Sequence, residues 1–241
     1  MNYSESIALV SGANRGIGKA VVMALLARGA KRIYACARKT HALDDMIKAG
    51  QGRIVPLQLD ITDPAQVAAA AKSASDVTLL INNAGSAVFG DILGSAPETV
   101  AADMNTNYFG TLSMIRAFAP VIEANGGGDI ANVLSIVSLA AMPGLGGYSA
   151  SKAAAGSMTQ AVRGSLQSRG IRVHGIYPGP VDTDMAKDFN APKASPGDVA
   201  EIILDGIAAN LDEIFPDDMA KAVGDTWRTD PKQLERNFSA Y

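Results

Sequence analysis

The sequence predicts an α/β fold with a single doubly wound, mostly parallel sheet and helices on both faces. Short runs rich in apolar and β-branched residues alternate with longer Ala-rich amphipathic runs, which is the pattern of repeated βαβ units. Several short runs are apolar almost throughout, as expected for strands covered on both faces. The 241 residues are 48% hydrophobic and 19% charged, which favours one large core. We therefore expect one domain over residues 1–241, with residues 184–241 as its substrate-side loop and C-terminal extension.

The strands are expected at the short apolar runs, where β-branched and aliphatic residues dominate. They are residues 7–10, 32–37, 54–59, 78–82, 130–134 and 172–177, followed by a short strand at 213–215. The helices are expected at the Ala-rich amphipathic runs between the strands. They are residues 16–28, 64–73, 96–125, 148–169 and 196–210, with a further short helix at 41–49.

Composition excludes several classes of function. The formal charge is −3 and no long basic run occurs, so no nucleic-acid partner is expected. The lone Cys36 excludes an internal disulfide, and His41 and His174 have no acidic partner at metal-ligand spacing, so no metal site is expected. Residues 1–6 are polar and no apolar stretch is long enough to span a bilayer. We expect a soluble, cytoplasmic protein.

A glycine-rich segment, residues 11–18, lies between the first expected strand and the first expected helix. Glycines at this place allow a tight turn and let a pyrophosphate approach the N–H groups at the start of the helix. The spacing is Gly-x-x-x-Gly-x-Gly, which differs from the commonest dinucleotide fingerprint. A purely structural turn is the alternative, but the position after the first strand favours a phosphate site.

Tyr148 and Lys152 are four residues apart and therefore lie on one face of a helix. A neighbouring ammonium favours the phenolate, so we expect Lys152 to lower the pKa of Tyr148 towards the range useful for proton transfer. Taken alone, the pair is more often an ordinary helix face with an exposed lysine.

Four motifs together resemble those of the short-chain dehydrogenase/reductase family. They occur in the family's order between residue 7 and about residue 200. They are Ser11-Gly12-Ala13-Asn14-Arg15-Gly16-Ile17-Gly18, Asn82-Asn83-Ala84-Gly85, Tyr148-Ser149-Ala150-Ser151-Lys152, and Pro178-Gly179-Pro180-Val181-Asp182-Thr183. Ser11 replaces the family's threonine. The resemblance implies a Rossmann fold and a nicotinamide-dependent oxidoreductase.

The resemblance also implies which residues bind the cofactor, because each of them lies in or beside a matching motif. They are Gly12, Asn14, Arg15, Gly16, Ile17, Gly18, Arg38, Asp60, Ile61, Asn83, Ala84, Gly85, Tyr148, Lys152, Pro178, Gly179, Val181 and Thr183. The backbone of residues 83–85 is expected to run past the adenosine ribose. Asn82 is a candidate for locking neighbouring loops. Asp60 resembles the family's adenine-contacting aspartate, and the start of the helix at Pro64 is its alternative role.

The end of the second strand favours NADP(H) over NAD(H). An acidic residue binds the ribose hydroxyls of NAD at this place, but the sequence has Ala37 followed by Arg38. Arg15 and Arg38 are suited to pair with a 2′-phosphate through charge-assisted hydrogen bonds. The alternative is that Arg38 and Lys39 form a solvated turn.

The resemblance implies a catalytic set of Asn107, Ser135, Tyr148 and Lys152. Ser135, expected at the end of the fifth strand, would orient a substrate carbonyl for hydride and proton delivery. Ser138 is a nearby hydroxyl past the expected strand end. Asn107, followed three residues later by Gly110, would connect Lys152 to solvent, and a solvent-facing asparagine is the alternative. The implied reaction is reduction of a ketone or aldehyde, or its reverse, with Tyr148 as proton donor.

The substrate side carries fewer signals. Met142, Leu145, Met185 and Phe189 flank the catalytic tyrosine or the Pro-Gly turn and are candidates for an apolar wall, with ordinary packing as the alternative. The role of residues 216–241 stays open. The resemblance implies a homodimer or homotetramer. A nucleotide-binding regulator without catalysis and a ketoacyl-type reductase remain alternative functions.

Overall fold

The computed structural model describes residues 2–187 and 189–240. Met1, Asp188 of the expected substrate-side loop, and Tyr241 at the end of the C-terminal extension lie outside the described residues. The strands are β1 (Ile7–Ser11), β2 (Arg32–Ala37), β3 (Ile54–Gln58), β4 (Leu79–Asn82), β5 (Gly128–Val133), β6 (Ile171–Ile176) and β7 (Glu213–Ile214).

The helices are α1 (Gly16–Ala27), α2 (Asp44–Ala49), α3 (Pro64–Ser73), α4 (Pro97–Met104), α5 (Thr111–Ala124), α6 (Gly146–Leu166), α7 (Pro196–Ala208), α8 (Asp218–Thr229) and α9 (Pro231–Phe238). A search of the described residues finds no helix that combines the length and the apolar character needed to cross a membrane.

The seven strands form one parallel sheet in the order β3-β2-β1-β4-β5-β6-β7. The predicted single, doubly wound sheet is therefore confirmed. The winding direction reverses between β1 and β4, and ligands of such sheets bind in the crevice outside the carboxyl ends of the strands at this switch point. The Gly-rich turn after β1 and the Asn-Asn-Ala-Gly turn after β4 both lie there.

Both faces of the sheet are covered, which explains why the central strands are apolar throughout. In β1, Ala8 and Val10 pack in the cluster that includes Leu25 of α1 and Ile203 of α7. Leu9 points to the opposite face and joins the cluster formed with α3, α5 and α6. This alternation is the period of two that a strand imposes on its side chains.

The helix predicted over residues 96–125 is present from Pro97 to Ala124, but it is not α-helical throughout. The structure has α4, a π-helical segment at Asn105–Gly110, and then α5. Asn107 is 1% exposed and bonds inward instead of facing solvent. Gly110 packs so closely that an added Cβ would lie 2.8 Å from Ile61 Cγ1. A widened turn of this kind is frequent at functional sites.

The C-terminal extension ends in two helices, α8 and α9, that the sequence pattern left unassigned. Asp217 caps α8 by accepting from the Ala220 N–H at 2.8 Å, and Asp230 caps α9 just before Pro231. Asp217 also accepts from the Gly179 N–H at 2.8 Å. The extension is thereby tied to the Pro-Gly turn after β6.

A buried ionic group joins β5 and β6 at the amino end of the sheet. Asp129, with no exposed surface, accepts two hydrogen bonds of 2.7 Å from Arg172 and faces His174 Nε2 at 3.0 Å. Burial by itself would raise the pKa of Asp129, but the hydrogen bonds from His174 and Arg172 outweigh it and hold this pKa below its ordinary value. The lowered pKa makes Asp129 a source of stability at neutral pH.

We expect Asp129→Asn to lower the free energy of unfolding at pH 7 by about 3 kcal/mol, because it leaves Arg172 and His174 without their carboxylate. A carboxyl group with a lowered folded-state pKa stabilises above its unfolded value of about 4, and loses that contribution as pH falls further. Urea titrations of both proteins between pH 3 and pH 7 measure the difference. A deficit that persists unchanged below pH 4 would contradict this account.

Candidate active site

A cleft of about 910 Å³ lies along the carboxyl edge of the sheet. It brings together residues from the Gly-rich turn, the ends of β2, β3, β4 and β5, α6 and the Pro-Gly turn. Of the residues singled out from the sequence, those that line it are Gly12, Asn14, Arg15, Gly16, Ile17, Arg38, Asp60, Ile61, Asn83, Ala84, Gly85, Ser135, Met142, Leu145, Tyr148, Lys152, Pro178, Gly179, Val181, Thr183, Met185 and Phe189. Gly18 and Asn107 lie behind its wall.

The Gly-rich turn needs its glycines. Gly12 has φ +65°, and a Cβ there would lie 2.9 Å from Ala84 Cα. Gly16 has φ +53°, and a Cβ there would meet the Thr183 side chain at 2.9 Å. Gly18 packs directly against the Gly12 carbonyl. Arg15, at the N-cap of α1, provides no side-chain cap, so the first N–H groups of that helix are available to an anion.

Ser11 fastens the Gly-rich turn to the turn after β4. Its hydroxyl accepts hydrogen bonds from the N–H groups of Asn83 and Ala84, both at 3.0 Å. The Asn83 side chain donates in return to the carbonyls of Ser11 and Gly12. Asn83, and not Asn82, is thus the residue that locks the neighbouring loops. Asn82 instead donates to Asn132 on β5 at 2.8 Å.

Cationic side chains gather at the far end of the cleft, beyond β2. Arg38 and Lys39 line this end and are exposed, and the exposed side chain of His41 lies beside them. His41 was not among the cleft residues expected from the sequence, and its position after β2 was the only signal that could have found it. Arg15 also lines the cleft and pairs with Asp184 at 2.8 Å.

Asp60 lies in the cleft after the end of β3, and its side chain bonds to its own loop. One carboxylate oxygen accepts from the Thr62 N–H at 2.9 Å and the Thr62 hydroxyl at 2.7 Å. The N-cap of α3 is Asp63, which accepts from the N–H groups of Ala65 and Gln66. The role at the start of the helix, which the sequence left open for Asp60, therefore belongs to Asp63, and the adenine contact of Asp60 stays a prediction.

Ser135 is held in an extended conformation at the start of a short 3₁₀ turn after β5. Its N–H donates to the Ser138 hydroxyl at 3.2 Å, and its own hydroxyl accepts from the Val137 N–H at 3.4 Å. Ser138 thus has a structural role. The Ser135 hydroxyl also hydrogen-bonds Tyr148, which favours the phenolate. Both residues line the cleft.

Lys152 is 5% exposed and donates to the Val133 carbonyl at 2.7 Å. Its Nζ lies 5.8 Å from the centre of the Tyr148 ring. Burial lowers the pKa of Lys152 to about 8, and Asp103 opposes this shift. Burial raises the pKa of Tyr148 to about 12, against the Ser135 hydrogen bond and with a further rise from Asp103. The expected net lowering of the Tyr148 pKa is therefore not found, because burial dominates. Tyr148 is protonated at neutral pH, as a proton donor must be.

Asn107 holds the chain that follows the Asn-Asn-Ala-Gly turn. Its carboxamide accepts from the Ser86 N–H at 3.0 Å and donates to the Ser86 carbonyl at 2.8 Å and the Ser151 hydroxyl at 2.9 Å. A Cβ on Gly85 would lie 2.9 Å from Asn107 Oδ1 and 3.5 Å from Lys152 Nζ. Only a glycine fits between these two side chains.

The end of the cleft at which the substrate is expected is apolar. Met142 is buried, Met185 is 43% exposed, and both line the cleft with Leu145 and Phe189. Sequence reasoning missed three further apolar residues of this wall, Phe89, Ile136 and Val137. Behind the wall, α8 and α9 pack against Tyr148 through residues that are distant in sequence, namely Ala220, Val223, Leu234 and Phe238.

The shape and chemistry of the cleft fit a nicotinamide dinucleotide. Gly12 and Gly16 allow the turn to pack against Ala84 and Thr183, and this turn leads to the uncapped start of α1, where a pyrophosphate would lie. Cationic side chains lie at one end of the cleft and the Ser135–Tyr148–Lys152 group at the other. Among the described residues, no cluster of three or more His, Cys, Asp or Glu is arranged to hold a metal ion.

Comparison with known proteins agrees with this assignment. The chain is 32% identical over 195 residues to a 3-oxoacyl-[acyl-carrier-protein] reductase of Synechocystis, covering 78% of this chain and 79% of the relative. It is 35% identical over 187 residues to a 3-alpha-(or 20-beta)-hydroxysteroid dehydrogenase of Mycobacterium bovis, covering 74% and 70%. A short chain dehydrogenase from Burkholderia cenocepacia, solved in complex with NADP, superposes with a TM-score of 0.93 at 40% identity over 99% of each chain.

The model of the short chain dehydrogenase family matches residues 6–194, from just before β1 to just before α7. The match spans the Gly-rich turn, Ser135, the Tyr148–Lys152 pair and the Pro-Gly turn. The chain is an oxidoreductase of the short-chain dehydrogenase/reductase family.

Proposed function

We propose that the protein is an NADP(H)-dependent carbonyl reductase that reduces an apolar ketone or aldehyde to an alcohol, or catalyses the reverse. The observation that carries the proposal is the convergence of Ser135, Tyr148 and Lys152 at the apolar end of a cleft whose other end is cationic. A cytoplasmic location and a homodimer or homotetramer belong to the same proposal.

Each residue has a defined part in the reaction. The bound cofactor supplies the hydride. Ser135 donates a hydrogen bond to the carbonyl oxygen and fixes its position. Tyr148, protonated at neutral pH, gives its proton to that oxygen. Lys152 provides a buried positive charge that stabilises the phenolate left behind. Asn107 is the proposed connection between Lys152 and solvent.

The preference for NADP(H) is supported by the position of Arg38. It lines the cleft directly after β2, where no acidic side chain is present to bind the ribose hydroxyls of NAD. The 40%-identical Burkholderia protein was solved with NADP. Arg15 is proposed to exchange its exposed carboxylate partner, Asp184, for the 2′-phosphate, since exposed ion pairs contribute little stability.

The substrate class follows from the wall of the cleft. Met142, Leu145, Met185 and Phe89 offer apolar surface in the cleft that Tyr148 lines, which favours an uncharged, apolar carbonyl compound. A ketoacyl substrate is the second candidate, because a relative of similar length carries that name. A regulator without catalysis would have no need for the Ser135–Tyr148 hydrogen bond.

Turnover of ketones and aldehydes tests the reaction. We expect NADPH oxidation with apolar members of a substrate panel, and a roughly 100- to 10,000-fold lower kcat/KM in Tyr148→Phe, since the general acid is removed. NADPH affinity should stay within about threefold, as measured by fluorescence. Carrier-bound ketoacyl substrates, included in the panel, distinguish the second candidate. Turnover by Tyr148→Phe at the wild-type rate would reject the proton-transfer role.

The reduction should also depend on pH in a defined direction. Lys152 is charged below its pKa of about 8, so kcat/KM for reduction is expected to fall as pH rises through that value. Initial rates at saturating NADPH between pH 6 and pH 10 measure the profile. A flat profile across this range would contradict the role of the ammonium.

Cofactor choice is tested at Arg38. Arg38→Asp removes a charge-assisted partner of the 2′-phosphate and adds repulsion, so we expect roughly 100-fold weaker NADPH binding and NADH binding within about threefold. Fluorescence titrations with both cofactors measure the two affinities. Lys48→Asp makes the same charge change on an exposed site of α2 outside the cleft and serves as the control. An equal loss of affinity for NADPH and NADH in Arg38→Asp would contradict the preference for NADP(H).

A further inference from the structure

Asp103, in the last turn of α4, is a buried carboxylate that the reaction described above does not use. It is 1% exposed. Its Oδ1 accepts from the Ser86 hydroxyl at 2.6 Å and its Oδ2 from the Val88 N–H at 3.0 Å. None of the ion pairs formed within residues 2–187 and 189–240 includes it. Burying a carboxylate without a cation in direct contact is costly.

The hydrogen bonds of Asp103 fall on the segment of residues 86–88, which lines the cleft at Ser86. Asn107, one helical turn further on, holds the N–H and the carbonyl of Ser86, and Asp103 holds its hydroxyl. Phe89 of the substrate wall follows this segment directly. The two side chains therefore fix the backbone between the cofactor-binding turn and the apolar wall.

Helix α4 packs against α6, so Asp103 lies on the element next to Tyr148 and Lys152. Tyr148 and Lys152, both on α6, are the titratable groups that it influences, and it raises the pKa of each. The residues that it contacts on the loop, Ser86 and Val88, are uncharged. Two further titratable residues lie on the elements around Asp103. They are Tyr108, on the π-helical segment packed against α4, and Glu98, on α4 itself.

We propose that Asp103 is a positioning residue for carbonyl reduction, which holds residues 86–88 against Asn107 and presents its negative charge to Lys152 and Tyr148. The inference rests on the proposed function. Its charge keeps both groups protonated to higher pH, the state that reduction requires. Loss of the charge therefore lowers the pH at which reduction fails, and in the oxidation direction lowers the pH at which activity appears.

Asp103→Asn tests the charge, because a carboxamide keeps the size and the hydrogen-bonding capacity of the carboxylate. We expect the falling limb of kcat/KM for reduction to move down by about one pH unit. The titration of Lys152 is followed separately by NMR in protein labelled with ¹³C-lysine, with its signal assigned by its absence in Lys152→Met. The midpoint should fall by the same amount. This readout requires no turnover.

Two controls separate charge from structure. Ser86→Ala removes one hydrogen bond and keeps the charge, so KM for the ketone should rise several-fold while the Lys152 midpoint stays in place. Asp129→Asn removes a buried carboxylate at the opposite end of the sheet and should lower stability without moving the midpoint. Asp103→Ser, smaller and uncharged, must reproduce the shift and replaces Asp103→Asn if that variant does not fold.

An unshifted Lys152 midpoint in both uncharged Asp103 variants, or an equal shift in Ser86→Ala, would overturn the proposal. Absence of turnover by the wild-type protein with every carbonyl compound would instead refute the proposed function. The NMR titration would still decide whether Asp103 acts on Lys152.

Discussion

The hydroxyl of Ser11 is the contact on which the architecture of the cleft depends. It sits between the ends of β1 and β4, where the winding of the sheet reverses, and accepts from two successive N–H groups of the β4 turn. The Asn83 carboxamide closes the connection from the other side. A crevice between two parallel strands exists in any sheet of this topology. These hydrogen bonds fix how close its two walls approach, and the glycines on both sides allow that approach.

Burial sets the electrostatics of Tyr148 and Lys152. It lowers the pKa of Lys152 and raises that of Tyr148, so it favours the neutral form of each. Two groups favour the charged form of Lys152 against burial. The Val133 carbonyl accepts from the ammonium at 2.7 Å, and the Asp103 carboxylate supplies a negative charge from α4. Ser135 opposes the effect of burial on Tyr148 through a hydrogen bond to the phenolate.

The parts of the site predicted from the sequence are those encoded by local spacing. A strand followed by Gly-x-x-x-Gly-x-Gly can be recognised from a short stretch of sequence, and so can Tyr and Lys one helical turn apart. The parts that were missed depend on tertiary contacts. The π-helical turn at Asn107 arises from bonds to Ser86 and Ser151, far along the chain. The net pKa shift of Tyr148 depends on how deeply the fold buries its side chain. The spacing of residues in the sequence does not determine that burial.

The substrate end differs from the cofactor end in how it is supported. The expected cofactor end is held by hydrogen bonds that join the side chains of Ser11 and Asn83 to backbone groups of the facing turn, which leave little freedom for replacing these two side chains. The apolar wall rests on α8 and α9, which lie beyond residue 194, where the family match ends. Asp217 joins the two ends, because its carboxylate caps α8 and holds the Gly179 N–H at the same time. Changes in the C-terminal extension can therefore reshape the apolar wall while the Asp217 carboxylate keeps the Pro-Gly turn fixed to the start of α8.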